Sequence, residues 1–403
     1  MYFTPRFNNV VKLPQVVKAI DERIKVVVVG MHVSCCPQEV LDCETIDFVI
    51  IGEGELTFLR LLEALNTDWN GLSSIKGIGF RNIENDKIIN YEVNLIDNLD
   101  KIPFPAWDLL PMEEYFRVNV GRDALTKERR HISIITSRGC PYDCSFCSSA
   151  AFWKKTWRKR SAENVLEEIK YLVEKYQIRE ISFEDDNLSL DPIRLAKICL
   201  GIIKRGFNIK WNTPNGISVK NLDRDLIRLM KKSGCERLNF GIESGDEYVL
   251  HNVIKKISLE KVKEIICCCK DEGITTLGYF VIGMPGETLD SIERSIEFAK
   301  KLDLDEIAFL LLFLSPGTEL YRVCKDKGYL KYEYKEILAE DEIENRILFE
   351  TPLISADTLS KYRSRFYSDF YRARCMKRPF YYLKRCMKDP LVIIRYVKEL
   401  FNR

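Results

Sequence analysis

Ile132-Ser133-Ile134-Ile135-Thr136-Ser137-Arg138-Gly139-Cys140-Pro141-Tyr142-Asp143-Cys144-Ser145-Phe146-Cys147 runs from a short apolar stretch through a turn into three cysteines spaced C-x3-C-x2-C. Iron–sulfur clusters are held by thiolates, and a cubane usually takes four. Three close-set thiolates leave one iron without a protein ligand, and an open iron can bind a small molecule and pass it an electron. A structural zinc site shows two C-x2-C pairs, or cysteine mixed with histidine. This chain has three histidines and no second cysteine pair at such spacing. Pro141, Tyr142, Asp143 and Ser145 are not the neighbours of cysteines buried as small hydrophobes.

Outward from this loop, strand and helix patterns alternate from 132 to about 316. Strands are expected at 132–136, 180–183, 208–212, 237–242, 276–282 and 306–312. Helices are expected at 162–176, 192–205, 224–233, 259–272 and 289–302. Six strand–helix steps predict a parallel (β/α)6 barrel, partial because eight steps close one. Upstream, the buried runs 26–29 and 47–51 alternate with short helical patterns at 37–41 and 56–65, half of a doubly wound Rossmann-like domain. An antiparallel pair is expected at 77–82 and 87–91. Ile102-Pro103-Phe104-Pro105-Ala106-Trp107 reads as an ordered linker that packs its aromatics on a neighbour. The fold class is therefore α/β, divided as 1–98 half-domain, 99–130 linker, 131–330 barrel and 331–403 helical tail.

The chain has 403 residues, 46% hydrophobic and 30% charged, which describes a globular protein with room for more than one core. With 62 basic and 60 acidic residues the net charge is +2, which gives no electrostatic case for a nucleic-acid partner. Fourteen scattered cysteines read as reduced thiols of a cytoplasmic enzyme. The first ten residues form neither a signal nor a transit peptide. The basic, aromatic tail from 372 onward carries a helical face (Val392, Ile393, Tyr396, Val397, Leu400), which suits packing on the barrel or peripheral contact with a membrane.

Ligands gather at the carboxyl ends of barrel strands. Glu184-Asp185-Asp186-Asn187 follows the second strand, where acids are costly unless they bind something, face water or cap the next helix. Asn215-Gly216 after the third strand reads mainly as a turn. Gly241-Ile242-Glu243-Ser244-Gly245 follows the fourth, with Glu243 at the barrel mouth. Gly283-Met284-Pro285-Gly286-Glu287 follows the fifth, where glycines let backbone approach a flat ring. Cys267-Cys268-Cys269 lies on a helix, whose adjacent positions diverge and cannot chelate one metal.

Together these segments resemble the radical S-adenosylmethionine (SAM) superfamily, in the group with an N-terminal cobalamin (B12)-binding domain. The N-terminal likeness rests on Gly30-Met31-His32, Pro37-Gln38-Glu39-Val40, Asp47 to Glu55, and Pro103 to Asp108. The resemblance implies a 4Fe–4S cluster on Cys140, Cys144 and Cys147. It places Phe146 near the adenine of SAM, Asp185 and Asp186 over its amino group, Glu243 and Ser244 on its sugar or methionine part, and Gly283 and Pro285 beside adenine. It further implies an electron donor such as ferredoxin or flavodoxin, and radical functionalisation of an unreactive carbon in a small or lipid-like substrate. The expected outcome is cobalamin-dependent methyl transfer. The alternatives are oxidative cyclisation of the porphyrin type and a non-catalytic iron–sulfur module. The sequence departs from the group in lacking an Asp-x-His-x-x-Gly loop, in showing Gly30-Met31 where the group has a glycine pair, and in placing its first buried strand 25 residues from the start. A truncated cobalamin domain follows as an expectation, and Met31 is expected to crowd the cofactor's tail.

Overall fold

The computed structural model describes residues 7–67, 69, 71–118, 128–331 and 349–380. The chain forms two compact units interleaved in sequence. One holds residues 1–97, 141–156 and 313–350; the other holds 98–140, 157–312 and 351–403.

The first unit is built on a four-stranded sheet in the order β1-β2-β3-β4. β1 (Val27–Val29) and β2 (Phe48–Ile50) are parallel; β3 (Ile78–Arg81) and β4 (Lys87–Ile89) add on antiparallel. The hairpin expected from the sequence thus extends the half-domain's own sheet beyond β2. Both faces are covered. Val28, Val49, Val33, Val40, Leu41 and Ile46 form one cluster, and Phe48, Ile78, Leu61, Leu72 and Ile75 the other, the latter beneath helix Gly54–Leu65. A helix at Phe7–Ile20 precedes the sheet. The sequence reading did not anticipate it, because Pro14 lies inside it and Leu13, Val16 and Ile20 stay exposed, so no buried stripe marks it.

The second unit contains β5 (His131–Ile134), the hairpin β6 (Ser137–Gly139) and β7 (Trp157–Lys159), β8 (Glu180–Phe183), β9 (Lys210–Ile217), β10 (Cys235–Glu243), β11 (Thr275–Ile282) and β12 (Glu306–Leu311). Six of these form an open parallel sheet ordered β12-β11-β10-β9-β8-β5. Its helices start where the sequence supplies a capping side chain. Ser161, Asp191, Asp223, Ser258 and Thr288 each accept the backbone N–H three residues on, which satisfies a donor the helix cannot. Beneath the helices, Ile134, Phe183, Trp211, Phe240, Phe280 and Phe309 are buried.

Two differences from the sequence reading are informative. β9 continues through Pro214, Asn215 and Gly216, which read as a turn; the ladder to β10 shifts register there, and a bulge is where a strand tolerates proline. At the sheet's edge, helix Ala356–Lys377 stacks Phe366 on Phe309 with centroids 3.6 Å apart, while Tyr367 Oη accepts the Phe309 N–H at 2.7 Å. The linker does pack its aromatics: Trp107 Nε1 donates to Glu168 Oε1 at 3.2 Å, and the Arg160 guanidinium lies 5.3 Å from the Phe104 ring. The amphipathic face read at 392–400 lies outside the described residues, and among the described residues no helix is long and apolar enough to cross a membrane.

Candidate active site

Cys140 follows β6 directly. Its thiol is part-exposed and receives a hydrogen bond from Asn187 Nδ2 at 3.6 Å. The segment after β8 shapes this approach. Asp185, 1% exposed, accepts from Thr136 N at 3.1 Å, from Thr136 Oγ1 at 2.7 Å and from the Ser137 hydroxyl. Burial pushes its carboxyl up, against the pull of those bonds and of Arg194. Arg194 in turn donates to Thr136 O at 2.8 Å. Asp186 is exposed and accepts the Gly139 N–H at 3.1 Å. Three successive side chains thus fix the entry to the cysteine loop: Asp185 clamps residues 136–137, Asp186 holds residue 139, and Asn187 touches the first thiol. Sequence reasoning singled out the acids and missed Asn187, although its place beside them was the available signal.

In the first unit, Cys144 O accepts the Cys147 N–H at 3.0 Å, and Cys147 precedes helix Ser148–Phe152. Phe146 is half-buried. Ser145 O accepts the Leu320 N–H at 3.0 Å, and Gly317 leaves just enough room for Cys35 Sγ. Burial pushes the Cys35 thiol up to about 11 and Cys199 up to about 12, and it raises Cys235 and Cys269 as well. Such thiols resist becoming thiolates. Cys140, Cys144 and Cys147 are all only partly buried, and none of the described cysteines forms a disulfide. Among the described residues no three His, Cys, Asp or Glu side chains surround a single metal ion. A cubane asks for something else, since each thiolate takes its own iron. The donor set, three accessible thiols on one short loop with an amide aimed at one of them, fits it.

We expect Asn187→Leu to lower the reduction potential of such a cluster, because hydrogen bonds to sulfur raise it. Cofactor cleavage should slow by roughly 10–100-fold, the usual cost of an outer-shell partner. Potentiometric titration of the reconstituted variant checks this.

At the other strand ends, Glu243 sits at φ 67 where β10 shifts register, 9% exposed, and meets Lys255 Nζ at 3.1 Å. A left-handed non-glycine residue is strained, and the Lys255 pair holds it over Gly241, whose missing Cβ leaves the room. Ser244 differs: its hydroxyl lies 3.0 Å from Ser295 Oγ and accepts the Asp246 N–H at 3.1 Å, so it is committed to internal bonds. Pro285 is half-buried at the tip of the loop after β11. Gly283, at φ 94, donates to Glu287 Oε2 at 2.6 Å.

Glu287 is 1% exposed, and its Oε1 has no hydrogen-bond partner. Burial raises this carboxyl from its ordinary 4.5 to about 8. The folded state therefore holds a proton that the unfolded chain releases above about 4.5. Stability contributed by the neutral acid is complete below 4.5 and is lost as pH rises through about 8. Glu287→Gln should flatten the fall of melting temperature with pH across that window, as read by calorimetry.

In the first unit, Gly30 at φ 143 and Gly52 at φ 78 end the parallel strands β1 and β2 in conformations that favour glycine. Ser34 Oγ joins them, donating to Gly30 O at 2.8 Å and accepting from Gly52 N at 2.9 Å. Met31 is buried against Phe152, Trp153 and Leu95. His32 is 3% exposed. A Cβ at Gly52 would stand 2.3 Å from Val93 Cγ1, so that glycine admits Val93, and Gly30 is the strand end whose backbone suits the close approach of a cofactor tail. His131, on β5, places Nε2 2.8 Å from Ser182 Oγ within the barrel sheet, and His251 sits in helix Glu247–Asn252.

An open parallel half-barrel, with a thiol-rich loop after its first strand, defines the radical SAM class. The family model described as the radical SAM superfamily matches residues 134–299, and that of the B12 binding domain matches residues 1–62. The chain thus carries a radical SAM domain preceded by a match to the B12-binding domain. It is 38% identical over 309 residues to an uncharacterized methyltransferase, PH0819, of Pyrococcus horikoshii, covering 76% of this chain and 64% of that one. It is 29% identical to cytidylyl-2-hydroxyethylphosphonate methyltransferase of Streptomyces wedmorensis, covering 91% and 73%. The fold is similar to that of the radical SAM methyltransferase TsrM of Kitasatospora setae, with TM-score 0.68 at 17% identity over 90% of this chain and 70% of that one. The chain spans 64%, less than two-thirds, of the length of the first of these relatives.

Proposed function

We propose that this chain is a radical SAM methyltransferase acting on an unreactive carbon. A 4Fe–4S cluster on Cys140, Cys144 and Cys147 would supply the electron that opens the sulfonium of SAM. The observation that carries the reading is the loop itself: three part-exposed thiols whose entry is set by Asp185, Asp186 and Asn187. The chain's residues orient and enclose. Glu243 with Lys255, and Gly283 with Pro285, stand at strand ends where SAM would lie; Phe146 would shield the loop. Asp185 and Ser244, committed inside, act as positioning residues.

Cobalamin is the second cofactor of this reading, and backbone at Gly30 would hold its tail. An external one-electron donor of ferredoxin or flavodoxin type and a cytoplasmic setting complete it. Oxidative cyclisation is the second reading, favoured by 25% identity over 327 residues to the anaerobic magnesium-protoporphyrin IX monomethyl ester cyclase of Rubrivivax gelatinosus.

Anaerobic reconstitution with iron, sulfide, SAM and reductant tests the first step: release of 5′-deoxyadenosine or of demethylated SAM is expected, and a full cluster with intact SAM would refute it. A cobalamin titration followed by absorbance tests the second. Saturable spectral change is expected, and its absence would remove methyl transfer in favour of the cyclase reading.

A further inference from the structure

The inner face of the half-barrel is polar across β5, β8, β9 and β10 and mixed on β11 and β12. Register lines up His131, Glu180 and Lys210 in one row, then Ser133, Ser182, Asn212, Arg237 and Thr275, then Asn239, Leu277 and Glu306. In a closed barrel these positions hold branched aliphatic side chains packed in layers. Here they are joined by hydrogen bonds. His131 Nε2 meets Ser182 Oγ at 2.8 Å, Ser182 donates to Asn212 at 2.8 Å, and Asn212 donates to Glu180 at 3.0 Å. Arg237 bonds Asn239 at 2.9 Å and Glu306 at 3.0 Å. Nearer the mouth, Asn239 Nδ2 donates to Tyr279 Oη at 3.0 Å, and Tyr279 donates to Pro214 O at 2.7 Å. Ser133 donates to Glu184 at 3.2 Å. Tyr279, Ser133 and Glu184 are half-buried and so still reachable. Apolar side chains on this face stand on β11 and β12 (Leu277, Val281, Ala308 and Leu310) and at Ile135 beside β5, of which Ile135 and Leu310 are 48% and 43% exposed.

We propose, resting on the function above, that the substrate is a small water-soluble molecule whose hydrogen-bonding groups face Ser133, Glu184 and Tyr279, rather than a lipid chain or a porphyrin. A hydrocarbon laid on this face would strip water from a carboxylate and two hydroxyls and return no bond, which buried polar groups do not tolerate. A hydroxyl- or amide-bearing substrate exchanges those waters for direct bonds, and Ile135 and Leu310 leave apolar contact for the carbon skeleton.

The test uses the reconstituted full chain, first shown by equilibrium dialysis to bind SAM; failure at that point indicts the proposed function, not this inference. Melting temperature is then followed with two sets of probes. One holds the proteinogenic amino acids, nucleoside monophosphates and sugar phosphates; the other holds oleate and protoporphyrin IX. A shift with at least one polar probe is expected, its half-saturation raised about tenfold or more in Tyr279→Phe, and none with oleate or protoporphyrin IX. Saturable stabilisation by either apolar probe would overturn the inference, as would silence across the whole polar set. Ala308→Trp, which fills the same face, supplies the second variant should Tyr279→Phe fail to fold: it should abolish the polar-probe shift, and a shift surviving there would also overturn the inference.

Discussion

Cys144→Ala should abolish cofactor cleavage. Cys144 is one of three accessible thiols on the loop, and a cubane held by two has no third anchor. The loss should exceed the roughly 10–100-fold that an outer-shell partner costs, with iron content falling in parallel. The control is Cys267→Ala. Cys267 is exposed on helix Leu259–Asp271, away from every strand end, and its loss should change neither iron nor turnover. Iron assay and 5′-deoxyadenosine release on the same samples check both.

The second large effect is expected at Asp185, which touches no cofactor in this account. Asp185→Leu leaves Thr136 N, Thr136 Oγ1 and Ser137 Oγ without their acceptor and takes the nearby negative charge from Arg194. Each stranded buried donor costs about 1–3 kcal/mol, and neighbours do not add. The variant should lose about 2–4 kcal/mol in denaturant unfolding. It should also incorporate less iron, because residues 136–139 lead directly into Cys140. Asp185→Asn keeps one acceptor oxygen and should recover part of both. A Leu variant with normal stability and full iron would show that Asp185 does not set the loop.

The half-barrel was legible because its strands are short buried runs bounded by capped helices: 180–183 was read and Glu180–Phe183 was found. β9 was cut short, since Pro214 and Asn215-Gly216 are turn signals that a bulge overrode. At the site, residue type and place after a strand located the cysteines, the acids, Glu243 and the Gly283 loop. They did not reveal which groups are consumed internally. Asp185 looks like a ligand in sequence, yet three donors from Thr136 and Ser137, at the junction of β5 and β6, surround it. Glu287 closes the Gly283 loop in the sequence, and only the fold shows it 1% exposed. The polar inner face was not read from the sequence, because it depends on register between strands far apart in sequence.

The central claim is that one iron of a three-thiolate cluster is left for SAM. Electron paramagnetic resonance of the reduced, reconstituted protein tests it directly, using SAM labelled at its amino nitrogen. The account predicts a changed cluster signal with hyperfine coupling to the label, absent in Cys144→Ala. A fully loaded cluster whose spectrum is the same with and without SAM would contradict it.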